Sequence, residues 1–193
     1  MKGNKTLIFV LFLSFFTVNI FCQTKYETVR NMSFAINGTS TLHDWEMKGT
    51  GGKCSAVLVF EGQSKLTGLS DISFTFPAKQ LKSGKDAMDG NAYKALKADK
   101  NPNITGSFVN ARLTTSDNTN YKITATIKLQ IAGFSKDIQI TADGKLNKDG
   151  SFSVKGEKKI DMKEFKVDPP SFMFGSVKTG KDVTIKYDLT LNK

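Results

Sequence analysis

The chain has 193 residues, with 28 Lys and Arg against 18 Asp and Glu, for a formal net charge of +10. That length suits one domain with a core large enough to stand without disulfide or metal staples. The single histidine and two cysteines leave little from which to build an ordinary zinc site of His and Cys ligands. No cofactor is expected, and the charge points to anionic membrane surfaces, a phosphate-bearing ligand or simply a solvated lysine-rich surface.

Lys2 and Lys5 precede an apolar stretch from Leu7 to Phe21, interrupted only by Ser14, Thr17 and Asn19. A short basic segment followed by an apolar one of this size reads as a secretory signal. It falls short of the about 20 apolar residues of a membrane span. Cleavage after Cys22 would make 1–22 the signal and 23–193 one periplasmic or secreted domain; the rival reading makes Cys22 a lipidated first residue. An exported protein of this kind is not expected to meet nucleic acid. With Cys22 removed, Cys54 stands alone, so no internal disulfide is expected and packing must supply stability.

From there the chain shows short segments of period two, the mark of half-buried strands. Phe34, Ile36 and Gly38 alternate; Leu42 then breaks parity with His43, Trp45 and Met47, which predicts a bulge or bend. Ala56 to Phe60 is apolar on both parities. Ile72, Phe74 and Phe76 alternate again. Asp86 to Lys97 reads as the one helix, with Met88, Ala92, Tyr93, Ala95 and Leu96 as its apolar residues, Asp86 and Asp89 in its first turn and Asn101-Pro102 ending it. Ile104, Gly106 and Phe108 resume the strand pattern.

The clearest strand is Tyr121 to Ile131, with Ile123, Ala125, Ile127 and Leu129 on one face and Lys122, Thr124, Thr126 and Lys128 on the other. Gly133 offers a turn, Ile138, Ile140 and Ala142 continue the apolar face, and Asp143-Gly144 and Asp149-Gly150 read as turns. Phe152 and Val154 open a strand whose inner face extends to Ile160 and Met162. A long loop, Lys166 to Asp182, carries Pro169-Pro170, Phe172, Met173 and Phe174. Large apolar residues in such a loop suggest that it folds over something. Val183, Ile185, Tyr187, Leu189 and Leu191 form the inner face of the last strand. Many antiparallel strands, short turns and one small helix argue for a closed β-barrel or a sandwich.

The order of these segments resembles the YceI-like domain, a periplasmic, lipocalin-shaped barrel associated with polyisoprenoid binding. The likeness is carried by Phe34 to Trp45, by Phe76 through Tyr93, Leu96, Pro102 and Ile104, by Lys128 to Ile140, and by Asp168-Pro169-Pro170 through Gly175 to Val183–Leu191. It implies an all-β, antiparallel lipocalin-like barrel of about eight strands with one or two short helices, and an amphiphile in its lumen. The pair before the helix, usually Arg-Asp, is here Lys85-Asp86, and Tyr93 is the one aromatic of the helix.

Catalytic patterns are weak. Asp44 follows His43 directly, and neighbours on a strand point to opposite faces; no nucleophile elbow is present. Gly49 to Lys53 lacks the Ser or Thr and the helix of a phosphate loop. Asp86 and Asp89 read as helix-start acids. The chain is therefore expected to be a binding protein and not an enzyme. Its partner would be a long-chain amphiphile (polyisoprenoid, quinone-like or fatty lipid), with transient membrane-surface contact and a monomeric or homodimeric state. The expected lumen residues are Phe34, Trp45, Phe76, Met88, Tyr93, Phe108, Ile127, Leu129, Phe165, Phe172, Met173 and Phe174, with Lys85 or Lys178 near a head group. The alternatives are a ligand-free stress-response or interaction module with a solid core, and a lipid-modifying enzyme using His43 or Asp86.

Overall fold

A computed structural model describes residues 21–28, 32–62, 65–172 and 175–193. Its strands are β1 (Phe21–Thr28), β2 (Ser33–Ser40), β3 (Trp45–Thr50), β4 (Lys53–Glu61), β5 (Lys65–Pro77), β6 (Leu81–Lys82), β7 (Asn103–Thr115), β8 (Asn120–Ile131), β9 (Phe134–Leu146), β10 (Phe152–Asp161), β11 (Ser171–Phe172) and β12 (Val177–Asn192); the helix α1 spans Asp86–Ala95. Pairing runs β1-β4-β5-β7-β8-β9-β10-β12 and returns to β1 through Glu27↔Asn192 and Thr28↔Leu191, a ring of eight antiparallel strands. The fold is thus the lipocalin-like barrel that the resemblance implied, and of the barrel and the sandwich that the alternation left open it is the barrel. Closure of the ring pairs each of its eight strands on both sides over at least part of its length, which limits the exposed sheet edge that invites aggregation.

β2, β3 and β6 extend the wall from the early half of β12. β3 and β4 are one run of chain broken at Gly51 and Gly52, with φ of +118° and +78°. A side chain at Gly52 would bring its Cβ within 2.5 Å of the Thr75 carbonyl oxygen. β5 and β6 are likewise one run, broken by a 3-10 turn at Ala78–Gln80. Among the described residues β6 pairs only with β3, and α1 supplies the missing wall there, packing Met88, Ala92 and Leu96 on the core.

Two sequence expectations change and a third is sharpened. The bend expected at the parity break after Gly38 falls at Thr41–Leu42, in the hairpin connection between β2 and β3, where the Ser40 hydroxyl accepts from the backbone N–H of Leu42 and His43. Asp143-Gly144 lies inside β9, where Gly144 pairs with Tyr121 and a Cβ would sit 2.7 Å from the Phe152 ring. The last strand starts at Val177, six residues before the clean alternation, because Ser171–Phe172 pairs with Val177–Lys178. By contrast Gly133 turns as expected: Ala132 and Gly133, with φ of +51° and +82°, form a two-residue loop closing Ile131↔Phe134, the φ signs of a type I′ hairpin.

Asp89 does not cap α1. Its buried carboxylate accepts from the backbone N–H and the hydroxyl of Ser83, both at 2.7 Å, with Lys82 Nζ at 3.5 Å. Burial alone would raise its pKa, but the Ser83 donors and the Lys82 charge outweigh it and hold the carboxyl below its ordinary 3.8. A depressed folded-state pKa stabilises the fold above the ordinary value and is lost as pH falls through the folded one. Asp89→Asn should therefore lower stability at pH 7 by about 1–3 kcal/mol, read by urea unfolding. The gap between the two proteins should narrow as the pH drops below about 4.

Candidate functional site: the barrel lumen

The inward parities of the wall enclose a cavity of about 540 Å³, within the usual range of small-molecule pockets, about 300–1,000 Å³. The alternation explains the wall: β8 contributes Ile127 and Leu129, β9 Ile138 and Ile140, and β12 Val183, Ile185 and Leu189. One end is packed solid. Tyr26, Leu58, Phe60, Leu66 and Tyr121 are buried there and do not bound the cavity. Toward the opposite end the lining passes to Ser40, Leu42 and His43 of the β2–β3 connection and to Pro170 and Phe172 of the closing loop. These two loops are tied together: Thr41 N–H donates to the Lys178 carbonyl at 3.0 Å, and Lys178 N–H to Thr41 Oγ1 at 3.1 Å. Leu42 is 69% exposed at this rim.

Four of the rings that border the lumen lie on glycines, which helps to keep it open. Trp45 faces Gly38 across the ladder, Phe34 faces Gly49, Phe74 faces Gly106 and Tyr187 faces Gly156. In each pair a Cβ on the glycine would fall 2.0–2.6 Å from the aromatic side chain. An aromatic laid over a cross-strand glycine rests against the wall and leaves the axis free. The polar ends are also turned to the wall: Trp45 Nε1–H donates to the Thr39 carbonyl at 3.0 Å and the Tyr187 hydroxyl to the Thr141 carbonyl at 3.2 Å.

Phe34, Trp45, Phe76, Met88, Ile127, Leu129, Phe165 and Phe172 line the cavity. Tyr93 and Phe108 do not. The Tyr93 hydroxyl donates to the carbonyl oxygens of Lys79 and Leu81, both at 2.8 Å, which fastens α1 to the run before it. Phe108 pairs with Ile127, but the register shifts immediately after it, between Phe108 and Asn110; such a bulge re-aims side chains, and Phe108 is half-buried away from the lumen. Met173 and Phe174 lie outside the described residues. Of the two lysines considered for a head group, Lys85 borders the cavity and Lys178 does not. Among the residues overlooked, Phe74, Ile185 and Tyr187 sit on parities already marked as inner. Lys158 sits on the parity of Phe152, Val154 and Ile160, and its charge hid it.

The chemistry of the wall is sparse. Among the described residues no aspartate or glutamate borders the cavity, and Lys85 and Lys158 are the lysines that do. His43 is exposed on the rim with Nδ1 2.6 Å from the Asp44 carbonyl oxygen, so its ring is engaged by backbone and not by a hydroxyl nucleophile. Burial pushes the Cys54 thiol up to about 11, so at neutral pH it lacks the thiolate that a nucleophile needs. Among the described residues no cluster of three His, Cys, Asp or Glu side chains is placed to hold a metal.

A closed antiparallel barrel around one apolar cavity is the architecture of a lipocalin-shaped binding protein. The chain belongs to the YceI-like domain family, whose model matches residues 23–191. Among solved structures it is similar to Burkholderia cenocepacia BcnA, with 12% identity and a TM-score of 0.61 over 84% of this chain and 96% of that one. It is also similar to a polyisoprenoid binding domain from Saccharophagus degradans, with 9% identity and a TM-score of 0.59 over 86% and 97%. A third likeness is to the Campylobacter jejuni YceI protein, with 23% identity and a TM-score of 0.52 over 72% and 81%. At these identities the likeness is one of fold. No curated protein matches the chain.

The glycine–aromatic pairs can be tested directly. Gly38→Ala places a Cβ 2.2 Å from Trp45 Cζ2 and should force the ring inward. Overpacking of this kind costs about 1–3 kcal/mol, read as a lower denaturant midpoint. Trp45 is the only tryptophan of the chain, so its emission should change with the same substitution.

Proposed function

We propose that the protein is an exported binding protein that holds a long-chain amphiphile in its barrel lumen and carries out no covalent chemistry. The observation that carries this reading is the cavity itself: about 540 Å³, walled by aliphatic and aromatic side chains and bounded by no carboxylate. Each methylene moved from water into such a space contributes about 0.8 kcal/mol. About ten of them supply about 8 kcal/mol and about twenty about 16 kcal/mol, so a chain of about ten to twenty methylenes offsets the estimated rigid-body cost of about 4–15 kcal/mol without help from a catalytic group.

Polyisoprenoid, quinone-like and fatty chains all satisfy that requirement, and the name of the Saccharophagus degradans domain favours the first. Phe34, Trp45, Phe76, Met88, Ile127, Leu129, Phe165 and Phe172 would contact the chain. Removal of residues 1–22 as a signal is consistent with a family match that starts at residue 23, and it would place the protein in the periplasm or outside the cell. The exposed Leu42 beside the rim gives a point for transient contact with a membrane surface from which the guest is taken. A solid-core interaction module would need Phe and Leu side chains meeting across the axis. The rings resting on Gly38, Gly49, Gly106 and Gly156 speak against it.

Native mass spectrometry of the protein purified without detergent should show one small amphiphile per chain. Leu129→Asp should abolish retention with the barrel still folded by circular dichroism. Ala125→Leu, which adds volume to the lumen without charge, should shorten the longest chain accepted. Lys122→Ala, which removes only an exposed pair with Asp143, should change nothing. A folded protein that copurifies with no lipid and takes up neither isoprenoid nor fatty probes would refute the reading.

A further inference from the structure

We propose that the guest carries an anionic head group, held beside Lys158 at a lateral window between β9 and β10; this rests on the carrier reading above. The ladder between these strands runs from Phe152↔Leu146 to Gly156↔Ala142 and stops there. Yet β10 continues to Asp161, and β9 extends back to Phe134. The gap is framed on both sides. Toward the packed end, the Tyr187 hydroxyl crosses Gly156 to the Thr141 carbonyl. Toward the rim, Lys136 pairs with Glu164 at 2.8 Å, and Lys166 Nζ lies 4.6 Å from the centre of the Phe134 ring. Ile138 and Ile140 on one jamb and Lys158 and Ile160 on the other all border the cavity.

Lys158 is out of place by the logic of its own strand. It occupies an inward parity, opposite Ile185, where every other position is apolar or glycine. Its outward neighbours Lys155 and Lys159 pair with Asp188 and Asp182 at 3.9 and 2.9 Å. Lys158 has no carboxylate within 4 Å among the described residues, and the lumen offers none. A lysine lays its methylene stem along apolar surface and keeps its ammonium where water reaches, and the unpaired stretch of the ladder is such a place. A cation on a wall without acids attracts a carboxylate or phosphate and repels an amine. The guest's chain would then lie along the lumen and its head at the window rather than at the rim.

The test compares oleate with oleyl alcohol and farnesyl phosphate with farnesol, titrated against Trp45 fluorescence. At least one anion should bind about tenfold tighter than its own alcohol. Preference confined to oleate assigns a carboxylate head, and preference confined to farnesyl phosphate assigns a phosphate. Lys158→Gln should bring anion and alcohol to parity, Lys158→Arg should retain the preference, and Lys155→Gln on the outer face should leave it unchanged. Equal affinity for anion and alcohol in the unaltered protein, or a preference that survives Lys158→Gln, overturns the assignment and leaves the carrier reading standing. Failure of all four probes to bind overturns both.

Discussion

The structure depends on four aromatic rings that each face a glycine directly across the ladder. A ring of eight strands sits at the size where side chains can either fill the interior or leave room for one small guest. With ten of the chain's 15 phenylalanines, all 4 tyrosines and the 1 tryptophan in residues 23–193, filling would be easy. It is prevented because Trp45, Phe34, Phe74 and Tyr187 each lie over a glycine on the adjacent strand. The rings bury their area against backbone, where the missing Cβ lets them approach, and cease to compete for the axis. The Trp45 indole N–H and the Tyr187 hydroxyl find wall carbonyls, so neither of these donors is left pointing into an apolar space, where it would cost free energy.

The rest of the architecture serves to keep that space asymmetric. At one end Tyr26, Leu58, Phe60, Leu66 and Tyr121 pack into an ordinary solid core and supply the burial that stabilises a barrel with a hollow middle. At the other, the wall is completed by a helix where a strand pairing is missing, and the helix is fastened by Tyr93 and by the buried Asp89 against Ser83. The lumen's one thiol is held protonated by burial, and its histidine sits on the rim.

Much of this was legible in the sequence, for reasons that can be located. β8 and the late half of β12 face an apolar lumen on one side and water on the other, so their side chains alternate without interruption and mark the lumen directly. The turn at Gly133 was equally plain. Position within the lumen was harder. Phe108 shares the parity of a lining residue and is displaced by a one-residue shift in register, which no pattern of hydrophobicity announces. Asp143-Gly144 has the composition of a turn but serves as a place for the Phe152 ring to pass. Tyr93 reads as apolar, yet acts through its hydroxyl. Lys158 lies on an inner face that the sequence outlines, but charge argues against burial, and only the missing rungs between β9 and β10 explain why it is tolerated.

The central claim is that the barrel is hollow and that the hollow is occupied by a chain-like guest. A crystal structure of the protein purified from its native compartment without detergent tests both parts at once. The account predicts elongated, unbranched or regularly branched electron density along the lumen, flanked by Ile127, Leu129 and Ile185, with the rings of Trp45 and Phe34 still resting on Gly38 and Gly49. Side chains collapsed across the axis, with no room between them for a hydrocarbon chain, would contradict it.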